Sequence, residues 1–454
     1  MKVAIIGSGI SGLAAAQTLM RNVPDKVCVT LFEAAHYFGG HTHTVDVTLP
    51  GPHGPVTHGV DTGFLVFNER TYPGLIALFE ELGVATAKSD MSFSVQVKSN
   101  EGRVALEWSG TGLSGLFAQR SNLLNWRFIN MLRDLNRFNQ LCSAMAEAGD
   151  TSRQRQTLGE FLNSHQFSQE FRDWYFLPMV ACIWSCPTEQ MLRFPVATMI
   201  RFCHNHGLLQ LRDRPQWWTV AGGARHYVDR IVAQIPDKRL NTPVLAIERL
   251  ERMDRALAPA ASGVKITTKT GVEIFDKVII ATHPDQALAM LKVPSPLELR
   301  TLGAIRYHDN LAVLHTDESV LPGRRAAWAA WNYERVQAPA HSAQWGETTP
   351  DVCLHYLINK LQPLPWQQSV IVSLNPLHEV SANKILGEFA YSHPVFDAPA
   401  IKAQQQVAWL QGKQATFYCG AWCGYGFHED GYQSGVAAAK LALGQVLARV
   451  EEFA

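Results

Sequence analysis

The residues from Val3 to Gly12 read VAIIGSGISG, an apolar β-branched run that gives way to Gly7, Gly9 and Gly12 and then to the helix-forming stretch LAAAQTLM. Glycines at this spacing handle phosphate through the backbone rather than through a side chain. The first permits a tight turn, the second lets the main chain approach a pyrophosphate, and the third lets helix lie against strand; the free amides of the helix start attract the anion. The run Val27 to Phe32 ends in Glu33, 21 positions past Gly12, where a carboxylate would accept from ribose hydroxyls. Strand, glycine turn, helix, second strand and distal acid together predict a dinucleotide-binding βαβ unit.

Other groupings carry less chemistry. A second triplet, Gly110, Gly112 and Gly115, follows RVALEWS, but Glu107 and Trp108 break the strand pattern and no distal acid follows, so a turn is expected. His41 and His43 share one face of a short extended segment, as His204 and His206 share a spacing, yet neither pair has a cysteine or carboxylate at ligand spacing, and no metal site is expected. Neither a Ser-His-Asp nor a Cys-His set stands out. The catalytic side chain therefore stays open, with His41, His206 and Tyr175 able to take a proton but carried by no motif.

The elements that must position these residues follow from the bulk of the chain. At 454 residues it is long for one core, so two domains are expected. Lysine plus arginine equals aspartate plus glutamate, 40 each, which excludes a mainly electrostatic partner such as nucleic acid. No apolar run reaches the length of a membrane span, so the chain is expected to be soluble or bound to a membrane surface. Eight cysteines without a CxxC pair predict reduced thiols in the cytoplasm. Apolar residues at Leu124, Phe128, Met131, Leu135 and Phe138 mark one face of a helix. Arg120, Arg127, Arg133 and Arg137 surround it, giving either a core-facing helix with a solvated basic face or an amphipathic helix on anionic lipid at the inner face of a membrane.

Past Glu33, the pair Gly39-Gly40 allows close backbone approach to a second stretch of a long cofactor, and Asp61 and Gly63 form a turn before an apolar strand. Here the chain resembles the flavin-containing amine oxidase and phytoene desaturase superfamily, and most of all its bacterial branch of NAD/FAD-binding oxidoreductases. The resemblance continues through VAGGARHYVDRIV (220 to 232), Val244, the returning strand KVIIATHP (277 to 284) and FYCGAWCGYGFHEDGYQSGVAAA (417 to 439). It implies FAD as cofactor, held by Gly7, Ser8, Gly9, Ile10, Ser11, Gly12, Glu33, Ala34, Gly39, Gly40, His41, Thr42, Val244, Gly420, Ala421, Gly431, Gln433 and Ser434. Gly431 and Ser434-Gly435 would open an Ala-rich helix whose N-terminus holds the negative charge of a reduced flavin. Two positions depart from the family. Phe38 and His41 stand where many relatives carry arginines around the Gly-Gly pair, and Ala421 stands where many carry an acid. Lys360 is a candidate to approach the flavin, as lysines do in some relatives, without a matching motif.

The expected fold is α/β, a discontinuous Rossmann-like FAD-binding domain (1–89, 215–295 and 406–454) with a second, α+β substrate domain (90–214 and 296–405). Alternation through VKITTKTGVEIFDKVIIAT, with Gly271 at a turn, predicts a hairpin feeding back into the flavin sheet. The aromatic groups Trp174, Tyr175, Phe176 and Trp328, Trp331 place an apolar cavity at the domain boundary. The resemblance implies an FAD-dependent oxidoreductase that takes a hydride from an apolar small molecule or lipid, with desaturation of an acyl chain, including a methyl-branched one, as the leading reaction. An amine oxidase, a flavin-bearing partner protein without catalysis, and an NAD dehydrogenase using only the first βαβ unit are the alternatives.

Overall fold

The computed structural model describes residues 1–22, 26–99, 103–148, 156–210, 214–250, 263–336 and 352–444. Strand β1 (Lys2–Ile6), helix α1 (Ile10–Asn22) and strand β2 (Cys28–Phe32) form the first βαβ unit. β1 lies at the centre of a five-stranded parallel sheet in the order Asp237–Arg239, β2, β1, Lys277–Ile280, Thr416–Tyr418. A parallel sheet is covered on both faces, and the period-2 alternation of β1 shows how. Val3 and Ile5 pack with α1 and the helices Pro73–Leu82, Arg225–Gln234 and His428–Ala442. Ala4 and Ile6 pack with the antiparallel strands Val244–Arg249, Val264–Thr268 and Gly271–Phe275. The hairpin expected around Gly271 is present, with Val264 opposite Phe275, and its chain returns as the strand beside β1.

The second layer is built on a seven-stranded mixed sheet in the order Ile385–Pro394, Tyr307–His315, Ile371–Leu374, Cys353–Leu357, Trp331–Val336, Phe93–Lys98, Val104–Ser109. One face, with Val95, Leu106, Trp108, Tyr333 and Leu354, packs against the helical segment between Trp126 and Asn205. There the long helix Trp126–Glu147 buries Phe128, Met131 and Phe138, and its first amides are capped by the Asn125 side chain. Glu107 and Trp108, expected to interrupt a strand, lie inside Val104–Ser109. The buried Glu107 carboxylate is accommodated because Gly323 N donates to it at 2.6 Å and Arg324 Nη1 at 2.7 Å.

The opposite face of this sheet is polar yet buried. Asp317 N donates to His315 Nδ1 at 3.0 Å, so His315 Nε2 carries the proton it gives to Ser373 Oγ, 2.7 Å away. Ser373 then donates to His355 Nδ1 at 2.7 Å, and His355 Nε2 to Glu334 Oε2 at 2.9 Å. Lys98 Nζ ion-pairs with the other Glu334 oxygen at 2.6 Å. Burial alone would push Glu334 up, but His355 and Lys98 hold its carboxyl at about 2. Cys353 lies in the same cluster, which is the group of metal-ligating types found among the described residues, with ligand atoms within 4.8 Å of one another. Its members are already engaged with one another and with Lys98, a partner that opposes a second cation. All eight cysteines are free.

Candidate functional site

A cavity of about 810 Å³ opens at the carboxyl ends of the parallel strands, where the sheet order runs out in both directions from β1. In open α/β sheets this switch point is where a crevice for ligands forms. Of the residues expected to hold the cofactor, Gly7, Ser8, Gly9, Ile10, Ser11, Glu33, Ala34, Gly39, Gly40, His41, Val244, Gly420 and Ala421 line it. Glu33 anchors the glycine turn as well as facing the cavity: its Oε2 accepts from Ser8 N at 2.9 Å and Ser8 Oγ at 2.5 Å, and its Oε1 from Ala35 N at 2.9 Å.

The three glycines differ in what requires them. A Cβ on Gly7 would stand 2.7 Å from Ala281 O, and one on Gly12 would stand 1.9 Å from Gly7 O, so the protein itself forbids side chains there. A Cβ on Gly9 would meet nothing within 4 Å. The protein leaves room at Gly9 that only the cavity's occupant has a use for, and Gly40, with φ +57°, brings its backbone against the same loop. This pattern fits a group that approaches the backbone as closely as a pyrophosphate does.

Gly12, Thr42, Gly431, Gln433 and Ser434 are not on the cavity wall. The terminal helix begins at His428, not at Gly431, because Asp430 accepts from Phe427 N at 2.9 Å and caps the turn. Gly431 and Gly435 face α1 instead: a Cβ on Gly435 would lie 2.1 Å from Ser11 O and one on Gly431 would lie 2.7 Å from Ile10 Cγ2. Ser434 Oγ bonds the Gly420 amide at 3.0 Å and so shapes the wall from behind. Gln433 bonds Glu429 at 2.7 Å, and Thr42 bonds Tyr227 OH at 2.5 Å and His428 Nε2 at 2.9 Å. The helix start is not a bare positive pole. Glu429 holds Gly74 N and Leu75 N, while burial pushes the Asp430 carboxyl up to about 7.

The structure brings together imidazoles that are scattered in the sequence. His41, His206, His283, His393 and His428 all line the cavity. The His41 ring lies 5.4 Å from His393 and 6.2 Å from His283, and its Nε2 is buried without a hydrogen-bond partner. Burial, with His283 nearby, holds His41 at about 4, and burial holds His206 at about 4 and His393 and His428 at about 3. Among the described residues the wall carries no lysine or arginine, and Glu33 is its one carboxylate, so apart from Glu33 it is uncharged at physiological pH. Tyr175 lies in the core of the helical layer, and Lys360 Nζ sits 3.5 Å from Asp90 Oδ2; neither lines the cavity. Gly110, Gly112 and Gly115 are also off the wall. His283 was within reach of sequence reasoning, since it follows the strand end in KVIIATHP, where ligand contacts concentrate. His393 and Tyr391 had no such signal.

Beyond the sheet the cavity runs to the other layer, where Met91, Ile183, Leu208, Trp217, Trp331 and Tyr356 line it. Among known proteins, AofH of Mycobacterium tuberculosis, named as a flavin-containing monoamine oxidase, is 25% identical over 316 residues, which span 66% of this chain and 61% of that one. Among solved structures, cyclohexylamine oxidase from Brevibacterium oxydans superposes with TM-score 0.65 at 18% identity, covering 97% of this chain and 98% of that one. Putrescine oxidase bound to putrescine gives 0.66 at 14% identity over 98% and 100%. A fatty acid isomerase from P. acnes gives 0.61 at 15% identity over 97% and 98%. The structural likenesses show that the chain shares one fold with these proteins over nearly its whole length. The model of the flavin containing amine oxidoreductase family matches residues 10–340. With its glycine turn, its distal Glu33 and a cavity at the sheet's switch point, the chain belongs to the flavin-containing amine oxidoreductase family, and its cofactor is FAD.

Proposed function

We propose that this protein is an FAD-dependent oxidoreductase that desaturates the acyl chain of a membrane lipid. The carrying observation is the uncharged wall beyond the sheet. A protonated amine entering there would lose its hydration with no carboxylate among the described residues to replace it, and an apolar chain loses nothing. When bound, FAD supplies a hydride acceptor at N5. The chain's own residues align the substrate between aromatic walls, exclude water and keep the imidazoles uncharged. The relatives' names point to amines and to fatty acids alike, and a shared fold does not choose between them.

The test is the visible spectrum. Added anaerobically, a membrane lipid extract should bleach the flavin, whereas putrescine or cyclohexylamine should leave it oxidised. Bleaching by amines alone would make the protein an amine oxidase. A yellow protein that nothing reduces would make it a flavin-bearing scaffold.

A surface feature supports the lipid source. Leu113, Leu124 and Trp126 are 77%, 94% and 73% exposed, Leu123 and Ile129 lie beside them in sequence and are exposed as well, and Arg120, Arg127 and, in the segment packed against Leu113–Leu116, Arg325 lie nearby. Apolar tips rimmed by arginine suit an anionic bilayer surface. No helix among the described residues is long and apolar enough to cross a membrane, so contact would be peripheral. The segment begins just past the sheet end at which Gly110 N bonds Phe93 O, and Phe93 is the register partner of Trp331 on the cavity wall. Replacing Leu124 and Trp126 with aspartate should cut co-sedimentation with phosphatidylglycerol vesicles by about tenfold or more, given roughly 1.5–3 kcal/mol for each buried apolar side chain. Unchanged sedimentation would remove this surface from the reading.

A further inference from the structure

His206 ends the helix Val196–Asn205 and reaches the cavity from the helical layer, opposite the parallel sheet. Its Nδ1 lies 3.0 Å from Phe202 O. A carbonyl can only accept, so Nδ1 carries the proton and Nε2 keeps its lone pair. No bond to Nε2 is found among the described residues, and the small part of the side chain left accessible belongs to a residue of the cavity wall. The ring is fixed by stacking on Phe202, with centroids 3.9 Å apart, and faces Phe427 at 5.7 Å.

The other imidazoles on the wall are placed differently. His428 Nε2 is bonded to Thr42 Oγ1, His393 Nδ1 is bonded to the Asn310 amide, and His283 is stacked on Tyr307. His41 follows the Gly-Gly turn, on the side of the dinucleotide loop. His41 likewise has a backbone partner at Ser392 and an unpartnered Nε2, so what sets His206 apart is its place: it brings its free basic nitrogen in from the helical, apolar side of the cavity.

Resting on the desaturase reading above, we propose that His206 Nε2 is the proton acceptor of the reaction. Desaturation breaks two C–H bonds. With FAD bound as the two-electron acceptor, one carbon would give up a hydride, its neighbour would give a proton to Nε2, and the electron pair of the second C–H bond would become the C=C bond, so that the two electrons lost by the substrate leave with the hydride. Removing hydride makes the neighbouring C–H strongly acidic, so a weak base suffices; a charged imidazolium in that place would oppose the developing positive charge. Burial, and secondarily Arg70, keep His206 neutral near physiological pH, with its pKa held at about 4.

Two measurements test this. In the ¹⁵N spectrum of histidine-labelled protein without lipid, His206 should show a protonated Nδ1 and an unprotonated Nε2 across pH 5 to 8. In anaerobic reduction by lipid extract, His206→Ala should bleach about 100-fold or more slowly than wild type, as loss of a general base does, and added imidazole should restore part of the rate. His206→Asn, which can still donate to Phe202 O but has no basic nitrogen, should be equally slow and unrescued. Both variants should keep FAD and quench tryptophan fluorescence with lipid as wild type does. Bleaching within about threefold of wild type by either variant, or a protonated Nε2, would overturn the assignment while leaving the desaturase reading intact. A wild-type protein that no acyl lipid bleaches would overturn both.

Discussion

The Gly9→Val protein should fold normally and purify without yellow colour. Because a Cβ at Gly9 meets no protein atom within 4 Å, the variant introduces no clash of its own, and its melting curve should match that of the wild-type protein stripped of flavin. The branched side chain instead occupies the space the pyrophosphate needs. Overpacking at close contact costs about 1–3 kcal/mol, and a rigid glycine turn has little freedom to relax, so FAD binding should weaken toward the upper end of that range, by about 100-fold. Absorbance at flavin wavelengths in the purified protein, followed by titration with FAD, measures this. Gly12→Val is the contrasting control. Its Cβ would sit 1.9 Å from Gly7 O, so it should lose flavin by failing to pack, with a lowered melting temperature. Retained colour in a folded Gly9→Val protein would remove the glycine turn from the cofactor site.

Acid should unfold this protein well above the pH at which carboxylates titrate. His41, His206 and His315 are held at about 4, and His393 and His428 at about 3, mainly by burial. In the unfolded chain a histidine titrates near 6.5. Above that pH neither state binds these protons and the stability is fully present. As the pH falls from about 6.5 toward 4 the unfolded chain takes them up and the folded chain does not, so stability is lost. Each histidine contributes about 1.4 kcal/mol per pH unit in that window. Asp61 and Asp430 act with the opposite sign: burial raises them to about 7, so the folded state binds their protons first and gains stability as the pH falls toward 4. Five histidines against two carboxyls leave a net loss of about 4 kcal/mol per pH unit, large against a total stability of about 5–15 kcal/mol. Urea midpoints measured from pH 7 to 4.5 should fall steeply, with net uptake of about three protons on unfolding. A flat profile would mean that these imidazoles reach water.

The parts legible in the sequence were those whose partners lie close along the chain. The glycine turn, its helix and Glu33 fall within one βαβ unit, and the hairpin around Gly271 pairs Val264 with Phe275. Glu107 was misread because what lets a carboxylate sit in a buried strand is Arg324, 217 residues away. The imidazole wall was invisible for the same reason: His41 and His393 come from distant segments, and nothing near either one announces the other. The terminal helix start could have been placed correctly, since Glu429 and Asp430 are acids of the kind that open a helix. The glycines behind them drew attention as cofactor contacts, whereas they serve the crossing with α1.

The sheet beneath the cavity takes β1 from residues 2–6, its neighbour from 277–280 and its edge from 416–418, and the helix His428–Ala442 then closes on α1. This order has a consequence for how the protein is made. During synthesis α1 leaves the ribosome long before the helix that covers it exists, and its apolar side must be shielded in the meantime. A nascent chain therefore carries the nucleotide fingerprint for most of its elongation without a chamber in which to keep a nucleotide. Cofactor loading belongs after translation, and a product that stops short of residue 416 should be released colourless and prone to aggregate.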